Sequence, residues 1–580
     1  PVRVSAQAEG ISPLRLEVTG PEKYSVTRSY EIQTRSPYLP ESRATTKLMR
    51  PGETFSVARD VLSGYVPGSV DVAVGFSPIP VDPATLYASL DRYPYGCTEQ
   101  LTSRALPLIY SEQLVAMGAK GARDDARGKV QVAVNTILNR QGADGAFGLW
   151  REGDGYATPW LGAYATDFVY RAKQAGYSVP DEALSRAYGA LRSVATGDSW
   201  RVYGYDTDVY EGPYSTDTRE QMMYRSSAYA LYVLAKAGQA DISRLRYLHD
   251  RELDNIASPL ARAHIGAGLA YLGDRARAAS AFKSAEAKLG YKNDGDYYQT
   301  PLRDLAGMLA LASEAELPDV VDRLATRLSK DVPEASSLTT QEKSYLLQAV
   351  DALTKGEAGV QVGVTGLGNG NDNQRQYMLT EAQASGGVSF KLNAKAPIFR
   401  TVLVTGAPSA PPPAVQSKLK AEKQFYTLQG APVKLDQVRQ GDKFVVGLTV
   451  TPDERRLNPV IVADLLPAGF EIETVLRPAD ARVVEYDWST GEDRVRAGAF
   501  DFLGEIAQAQ TSQAQDDRFV AAINVYDDAV TLAYVVRAVT PGTFALPGVV
   551  AEDMYRPEVF GRSAPDRVTI LAAQGTAGGK

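Results

Sequence analysis

The sequence is short of the residues on which most disulfide frameworks, metal centres and hydrolytic sites depend. Among 580 residues there is one cysteine, Cys97, and there are two histidines, His249 and His264. A single thiol cannot form an intrachain disulfide or supply a multi-cysteine metal site. Two histidines also count against a zinc site and against a histidine-dependent hydrolase. We therefore expect neither a metal nor another cofactor.

The sequence also lacks a basic field and a long apolar run. Lys and Arg total 62 against 69 Asp and Glu, which gives a net charge of −7 and argues against nucleic acid as a partner. No stretch approaches the run of about twenty apolar residues that crosses a bilayer, and the start at Pro1 shows no signal segment. We interpret the chain as a piece cut from a longer polypeptide that carries any targeting signal.

Length and hydrophobic patterning indicate several domains of different class. The chain has 580 residues, which exceeds one core, since domains hold roughly 100–200 residues. Apolar residues alternate up to about Gly75, recur at helical spacing between about Thr85 and Lys355, and alternate again beyond that block. The pattern therefore predicts a helical block inserted in a β domain, followed by further β structure.

Cys97 and Gln100 stand where the pattern changes from strand to helix. Pro94 and Gly96 predict a turn, and a helix from Cys97 onward would put both side chains on one face. Attack of the sulfur on the amide carbon, with loss of ammonia, would close a ring of about fifteen atoms. The product would be an internal thioester, ready to transfer its acyl group to an amine. The alternative is that Cys97 is a small buried hydrophobe at a helix start.

Longer strings around this pair resemble a known family. Residues 93–100 (YPYGCTEQ) resemble the thioester motif of the alpha-2-macroglobulin and complement family, in its bacterial branch. Residues 141–150 resemble the Q-x-x-D-G-x-(F/W) turn of α/α-toroid proteins, and residues 551–557 are similar to the final macroglobulin domain of the bacterial proteins. One departure is Thr98, where the bacterial proteins more usually have Leu; it affects local packing and not the two linked groups.

The resemblance implies a multidomain α and β fold. An α/α-toroid thioester domain would be inserted in a β, CUB-like domain and followed by a C-terminal macroglobulin-like β-sandwich. The expected boundaries are 1–50 for the end of a macroglobulin-like β domain, 51–84 for the first half of the CUB-like domain, 85–355 for the toroid, 356–407 for the second CUB-like half, 408–415 for a stiff linker, 416–571 for the sandwich and 572–580 for a disordered tail.

The resemblance also implies roles for individual residues. In the family, a protease cleaves an upstream bait region and the uncovered thioester acylates a lysine of the attacker. Cys97 would be the leaving group, and Gln100 would supply the transferred acyl carbon. Tyr93, Met554 and Tyr555 would shield the bond from water.

Lysine is the expected acyl acceptor. Complement relatives that acylate hydroxyl groups use a histidine of the helical domain, and neither His249 nor His264 aligns with that position. The protein would thus be a broad-spectrum endopeptidase inhibitor with a single-turnover thioester, and not an enzyme. Its expected partners are the attacking proteases, and we expect a monomer.

The same resemblance implies a location and leaves two alternatives open. We expect a periplasmic protein, held at the inner membrane by an N-terminal lipid anchor that this chain does not contain. One alternative is an adhesin, in which the thioester captures host-surface amines without a proteolytic trigger. The other is a toroid enzyme without a thioester, whose carboxylates would converge in the central cavity of the ring.

Overall fold

The chain folds into two compact units. The computed structural model describes residues 10–21, 24–34, 36–83, 86–87, 90, 96–110, 122–155, 157–198, 216–292, 298–330, 332, 338–354, 360–368, 372–456, 458–487 and 492–573. One unit consists of Pro1–Ser42, Leu62–Asp71 and Thr405–Lys580, and the other of Arg43–Val61 and Val72–Val404. Cys97 and Gln100 belong to the second unit.

The helices that the structure describes fall between the two predicted β regions, with one short exception. They are α1 (Thr98–Tyr110), α2 (Ala122–Leu138), α3 (Pro159–Gln174), α4 (Asp181–Thr196), α5 (Thr216–Lys236), α6 (Ile242–Tyr247), α7 (Pro259–Tyr271), α8 (Arg275–Glu286), α9 (Pro301–Glu314), α10 (Pro318–Leu328), α11 (Thr340–Thr354) and the short α12 (Glu381–Gly386). None of them is long and apolar enough to span a membrane.

Six of these helices form a closed ring, which we call the helix ring: α1, α3, α5, α7, α9 and α11. Each packs against the next one named, and α11 packs against α1. Helices α2, α4 and α6 each contact two neighbouring members of the ring, whereas α8 packs on α7 and α10 packs on α9. The ring helices are rich in buried alanine and glycine, which lets helix axes approach closely. One continuous hydrophobic cluster runs through the ring and its outer helices.

Three ring helices begin with the same local signal, a Ser or Thr followed by proline. Thr158, Ser258 and Thr300 are the N-caps of α3, α7 and α9, and each side chain accepts a hydrogen bond from a backbone N–H in the first turn. Proline fits the first helical position because its missing N–H has no partner there anyway. The caps thus define the residues at which these helices begin.

The strands that the structure describes lie before and after the ring helices in the sequence. Those before the ring are β1 (Gly10–Thr19), β2 (Ser25–Thr34), β3 (Glu41–Met49), β4 (Thr54–Val57) and β5 (Asp71–Ser77). Those after it are β6 (Val362–Thr365), β7 (Gln376–Leu379), β8 (Val388–Leu392), β9 (Ile398–Gly406), β10 (Val415–Ser417), β11 (Leu419–Thr427), β12 (Val438–Arg439), β13 (Lys443–Pro452), β14 (Asn458–Leu465), β15 (Phe470–Val475), β16 (Arg482–Asp487), β17 (Glu492–Ala497), β18 (Thr511–Ala514), β19 (Arg518–Val525), β20 (Val530–Ala538), β21 (Gly542–Leu546), β22 (Val550–Asp553), β23 (Phe560–Arg562) and β24 (Asp566–Leu571).

Strands from before and after the helix ring pair with one another. One sheet has the order β3-β9-β5-β7 and the other has the order β4-β8-β6. Strand β4 runs antiparallel to β8 with Phe55 opposite Phe390, and the two rings stack at 5.2 Å between centroids. Phe76 and Tyr377 pack on Phe390 from the other sheet. The helices are therefore an insertion between two sequence halves of one β structure.

The other unit is built of β-sheets. A six-stranded sheet has the order β10-β23-β22-β14-β19-β18, and a four-stranded sheet has the order β11-β13-β20-β15. Both sheets contribute to one buried cluster, with Phe444 and Tyr534 from the four-stranded sheet and Phe519 from the six-stranded sheet. Strands β1 and β2 pair separately as an antiparallel hairpin. The predicted disorder of the tail falls mainly on residues 574–580, which lie outside the described residues.

Candidate functional site

Cys97 and Gln100 lie side by side at the start of α1. The backbone N–H of Gln100 donates to the Cys97 Sγ at 3.4 Å, and the backbone N–H of Cys97 donates to the Gln100 Oε1 at 3.2 Å. The amide oxygen thus faces a donor that would stabilise negative charge on it during attack at the neighbouring carbon. Within the described residues, the buried Nε2 of Gln100 has no hydrogen-bond partner. The structure brings these two predicted site residues together; the covalent link between them stays a prediction.

Apolar side chains pack with Cys97 on one side of the candidate site. Cys97 has no exposed surface and forms a small buried cluster with Leu149 and Leu161, on which Trp150 and Trp160 pack. The cluster joins the predicted turn at 141–150 to the first turns of α3. A thioester at this place would be kept away from water on the side that these residues cover.

Thr98 ties the start of α1 to the predicted turn. Its backbone N–H donates to the Leu149 carbonyl oxygen at 2.8 Å, and its Oγ1 donates to the Gly148 carbonyl oxygen at 2.6 Å. Leucine, the residue expected from the family, could not make the second bond. The departure from the family pattern thus supplies an additional hydrogen bond between α1 and the turn.

The turn itself is held by backbone contacts that require glycine and a carboxylate. A Cβ on Gly148 would lie 1.8 Å from the carbonyl oxygen of Arg151, so no other residue fits there without a shift of the backbone. The carboxylate of Asp154 accepts the backbone N–H groups of Leu149, Trp150 and Arg151 at 3.3, 2.6 and 3.1 Å. These contacts fix the carbonyl groups that receive α1.

Arg140, which the sequence patterns did not single out, lies beside the candidate site. Its Nη2 donates to the Gly96 carbonyl oxygen at 2.9 Å, and its Nη1 donates to the Leu149 carbonyl oxygen at 3.0 Å and to Thr98 Oγ1 at 3.2 Å. Burial lowers the pKa of the Arg140 guanidinium, and attraction to Cys97 offsets part of this effect. The only sequence signal for this role is a basic residue directly before the Gln/Asp/Gly turn.

Glu99 points away from Cys97, into the packing between α1 and α11. Its Oε1 accepts hydrogen bonds from Ser103 Oγ at 2.6 Å, Gln341 Nε2 at 2.6 Å and Thr340 Oγ1 at 3.0 Å. Burial raises the pKa of the Glu99 carboxyl, and these hydrogen bonds only partly oppose the rise. The glutamate of the motif therefore holds the first turn of α1 against the last helix of the ring.

The raised pKa of Glu99 predicts a pH-dependent effect of Glu99→Gln on stability. The Glu99 carboxyl binds its proton more tightly in the folded state than in the unfolded chain. Protonation of Glu99 therefore stabilises the fold fully below the ordinary pKa of 4.5, and this contribution is lost as pH rises through the raised pKa. Relative to the parent chain, the variant should therefore gain melting temperature as pH rises from 4 to 8. Thermal unfolding followed by circular dichroism at several pH values measures this difference. A difference that stays constant with pH would contradict the assignment.

The predicted shielding residues lie apart in the sequence and are only partly described. Tyr93 lies outside the described residues. Met554 and Tyr555 are each 4% exposed in the β unit, where the Met554 N–H donates to the Pro459 carbonyl oxygen and the Tyr555 N–H donates to Asp553 Oδ1. Their role as a shield stays a prediction.

His264 is buried within the helix ring rather than presented as a reactive group. Its imidazole stacks on Tyr229 at 4.3 Å between ring centroids and lies 5.3 Å from Tyr232. Burial, together with the charge of Arg303, lowers the pKa of His264 to about 3. The imidazole is thus neutral at physiological pH and packs as an aromatic side chain.

Charged groups in the ring interior neutralise one another. Arg171 donates to Asp167 Oδ1 at 2.7 Å and to Glu314 Oε1 at 2.6 Å, and Lys236 donates to Glu314 Oε2 at 3.0 Å. Although burial opposes ionisation, Arg171 and Lys236 hold the pKa of Glu314 below its usual range. A cavity of about 250 Å³ next to this cluster is also lined by Pro107, which lies in the last turn of α1, away from Cys97. The described residues contain no group of three or more possible metal ligands.

Comparison with known families and sequences relates this chain to a group of bacterial proteins. Residues 419–558 match the family described as the bacterial alpha-2-macroglobulin MG10 domain. The chain is 30% identical to alpha-2-macroglobulin of Escherichia coli over 94% of its own length and 32% of that protein. It is 27% identical to alpha-2-macroglobulin of Xylella fastidiosa over 97% of its length and 34% of that protein. The chain thus spans about a third of the curated relatives it matches.

Solved structures give the same relationship at the level of fold. Native alpha-2-macroglobulin from Escherichia coli, in a structure that spans domain MG7 to the C-terminus, matches with a TM-score of 0.79 and 27% identity, covering 97% of this chain and 88% of that one. Salmonella alpha-2-macroglobulin reacted with methylamine matches with a TM-score of 0.79 and 28% identity, covering 97% of this chain and 36% of that one. The mixture of helices and β-sheets expected from the sequence is therefore confirmed.

Proposed function

The chain belongs to the bacterial alpha-2-macroglobulin family, and from this premise we propose that it is the thioester-bearing part of a broad-spectrum protease trap. The observation that carries the proposal is the contact between Cys97 and Gln100: the sulfur accepts a hydrogen bond from the Gln100 backbone N–H, and the carboxamide oxygen accepts one from the Cys97 backbone N–H. The protein would act once, as an inhibitor that is consumed in the reaction, and not as an enzyme.

In the proposed chemistry, the bond between sulfur and acyl carbon forms within the folded protein. The Cys97 sulfur attacks the carboxamide carbon of Gln100, the S–C bond forms, the C–N bond breaks, and the thiol proton leaves with the nitrogen as ammonia. The Cys97 N–H donates to the oxygen on which negative charge develops, which supports this step. Burial of the product protects it from water until a conformational change uncovers it.

In the proposed capture step, a lysine of the attacking protease is the nucleophile. Its neutral amine attacks the same acyl carbon, an amide bond forms, the S–C bond breaks, and the sulfur ends as a thiol after taking up the proton that the amine loses. The Salmonella relative was solved after reaction with methylamine, a small amine of the same chemistry. Cleavage of a bait region upstream of this chain would be the trigger.

We propose that the helix ring and its outer helices are an α/α toroid and that the two sheets flanking it in the sequence are the CUB-like domain. The closure of α11 on α1 supports the toroid, and pairing of strands before and after the ring supports a split β domain. The position of the MG10 match, residues 419–558, supports a macroglobulin-like sandwich in the last part of the chain. The predicted domain boundaries stay predictions.

Partners and location are proposed on the basis of the family. The partners would be attacking proteases, bound covalently through lysine by a monomeric inhibitor. The location would be the periplasm, with the full protein held at the inner membrane by an N-terminal lipid anchor. A tagged full-length protein followed by osmotic-shock fractionation tests this placement.

Intact mass spectrometry tests the thioester directly. A chain with the bond should weigh about 17 Da less than its sequence encodes, since one ammonia has left. After incubation with methylamine, the mass should rise by one amine and a peptide map should place the adduct on Gln100. A chain of full encoded mass with a freely alkylatable Cys97 and no uptake of amine would contradict the proposal.

Methylamine uptake before and after protease treatment separates a trap from an adhesin. In a trap, the full-length protein should take up little amine until a protease cleaves its bait region, and fast afterwards. An adhesin should show the same uptake in both conditions. Asp167 and Glu314, two of the described carboxylates of the ring, are both held in ion pairs with Arg171, which gives no support to an enzyme that would use them as free acids.

A further inference from the structure

Arg140 contacts the residues on both sides of Cys97. One end of its guanidinium donates to the carbonyl oxygen of Gly96 at 2.9 Å, and the other donates to Thr98 Oγ1 at 3.2 Å. The side chain comes from the segment that follows α2, so the contact depends on the tertiary fold. It also binds the Leu149 carbonyl oxygen at 3.0 Å, in the turn that covers the sulfur.

We propose that Arg140 is a positioning residue for the thioester, which places a positive charge beside the Cys97 sulfur and thereby favours its thiolate form. This inference rests on the proposed function. It goes beyond the sulfur and amide of the motif, because it assigns the electrostatic control of both reactions to a side chain outside that motif.

The surroundings of Cys97 make this charge effective. Cys97 is clustered with Leu149 and Leu161, and Trp150 and Trp160 pack against this cluster. Low polarity strengthens the interaction between charges. Two of the described carboxylates lie near the site. Glu99 hydrogen-bonds to α11. Asp154 also interacts with Arg140, and its negative charge opposes the effect of the guanidinium on the thiolate.

A thiolate at Cys97 serves both directions of the chemistry. In formation, the thiolate is the nucleophile that attacks the Gln100 carbon, and the proton that the thiol has lost leaves with the nitrogen as ammonia. In capture, the thiolate is the leaving group when the S–C bond breaks, and it then takes up the proton that the lysine amine loses. A cation beside the sulfur lowers the energy of the thiolate in both cases.

The thiol can be titrated by the absorbance of its thiolate at 240 nm, because the chain has one cysteine. The full chain is first treated with methylamine, which frees the thiol if a thioester is present and changes nothing if it is absent. A Cys97→Ser chain gives the background of tyrosines. Arg140→Gln should raise the midpoint by about one pH unit, as expected for loss of a nearby opposite charge. Arg140→Lys, which keeps the charge, should restore most of the shift.

Asp154→Asn should shift the midpoint of the thiol titration in the direction opposite to Arg140→Gln. Removing the negative charge of this carboxylate makes the potential at the sulfur more positive. The midpoint of the thiol titration should therefore fall. A purely structural role of the two residues predicts no such reversal, since both variants would only loosen the same turn. Circular dichroism of each variant checks that the chain is folded before titration.

The rate of aminolysis gives a second measurement. In Arg140→Gln chains that hold the thioester, release of the thiol by methylamine at fixed pH should be slower by about threefold to tenfold, because the leaving thiolate is less stable. An unchanged midpoint in Arg140→Gln, or the same shift in Arg140→Lys, would overturn the inference. Failure of the proposed function would be visible separately, as a parent chain with no deficit of mass and no uptake of methylamine.

Discussion

A chain carrying Gln100→Asn should take up no methylamine and should weigh what its sequence encodes. The substitution keeps the carboxamide but shortens the side chain by one methylene, so the carbonyl carbon is withdrawn from Cys97 Sγ by about 1.5 Å. The loss should be complete, because a shorter ring cannot bring sulfur and carbon together on a helical turn. The fold should survive, since among the described residues the Gln100 Nε2 makes no hydrogen bond and its Oε1 accepts one only from the backbone N–H of Cys97, in the same turn.

Gln341→Asn is the matched control for this variant. Gln341 is also a buried glutamine at the start of a ring helix, and its Nε2 donates to Glu99 Oε1 at 2.6 Å and to Ser103 Oγ at 3.0 Å. The control should lose stability and keep its uptake of amine, the opposite of Gln100→Asn. Uptake of methylamine by the Gln100→Asn chain would place the acyl carbon elsewhere and contradict the proposed link.

The pair at the centre of the candidate site was predicted from the sequence alone. Cys97 and Gln100 are three residues apart, and helical geometry alone puts such residues on one face. The structure places their backbone and side-chain groups in contact. The family that the surrounding string resembles is confirmed by the curated relatives and the solved structures. Both the spacing of the two residues and the string around them can be recognised in the sequence without knowledge of tertiary contacts.

The surroundings of the pair could not be predicted in the same way. Arg140 lies more than forty residues from Cys97 in the sequence, and it binds the carbonyl oxygens of Gly96 and Leu149, which any residue would provide. Apart from the basic residue directly before the Gln/Asp/Gly turn, such a contact leaves no pattern in composition or spacing. Thr98 is a similar case, because its role depends on the carbonyl of Gly148, fifty residues away.

The fold shows the same division between local and distant information. Helical spacing predicted a block between about Thr85 and Lys355, and the described helices of the ring lie between Thr98 and Thr354. The closing contact between α11 and α1, and the pairing of Thr54–Val57 with Val388–Leu392, join segments far apart in the sequence. Alternation of apolar residues identifies a strand but not its partner.

Asp304→Asn should destabilise the helix ring strongly. Arg303 is 2% exposed and Asp304 is fully buried, and the Arg303 Nε and Nη2 donate to Asp304 Oδ1 at 2.9 and 2.6 Å. Removing the carboxylate charge leaves a buried guanidinium uncompensated, which costs about 3–5 kcal/mol. Melting temperature should fall by about 10 °C, at roughly 2–4 °C per kcal/mol for a unit of this size. Loss of ellipticity at 222 nm reports the ring, because the described helices lie mainly there.

Two further variants test whether burial explains the large loss of stability expected for Asp304→Asn. Arg323 and Glu286 form an ion pair on the outer helices in which the arginine side chain is 56% exposed, so Glu286→Gln should cost no more than about 1 kcal/mol. Removing both buried charges, as in Arg303→Met with Asp304→Leu, should recover most of the loss, because no charge is then left without a partner. If Asp304→Asn melted within 2 °C of Glu286→Gln, about the effect of 1 kcal/mol, Arg303 would have to reach water in the folded state. The guanidinium would then have little effect on the pKa of His264 through a dry interior, and burial together with the charges of Arg171 and Lys236 would have to keep the histidine neutral.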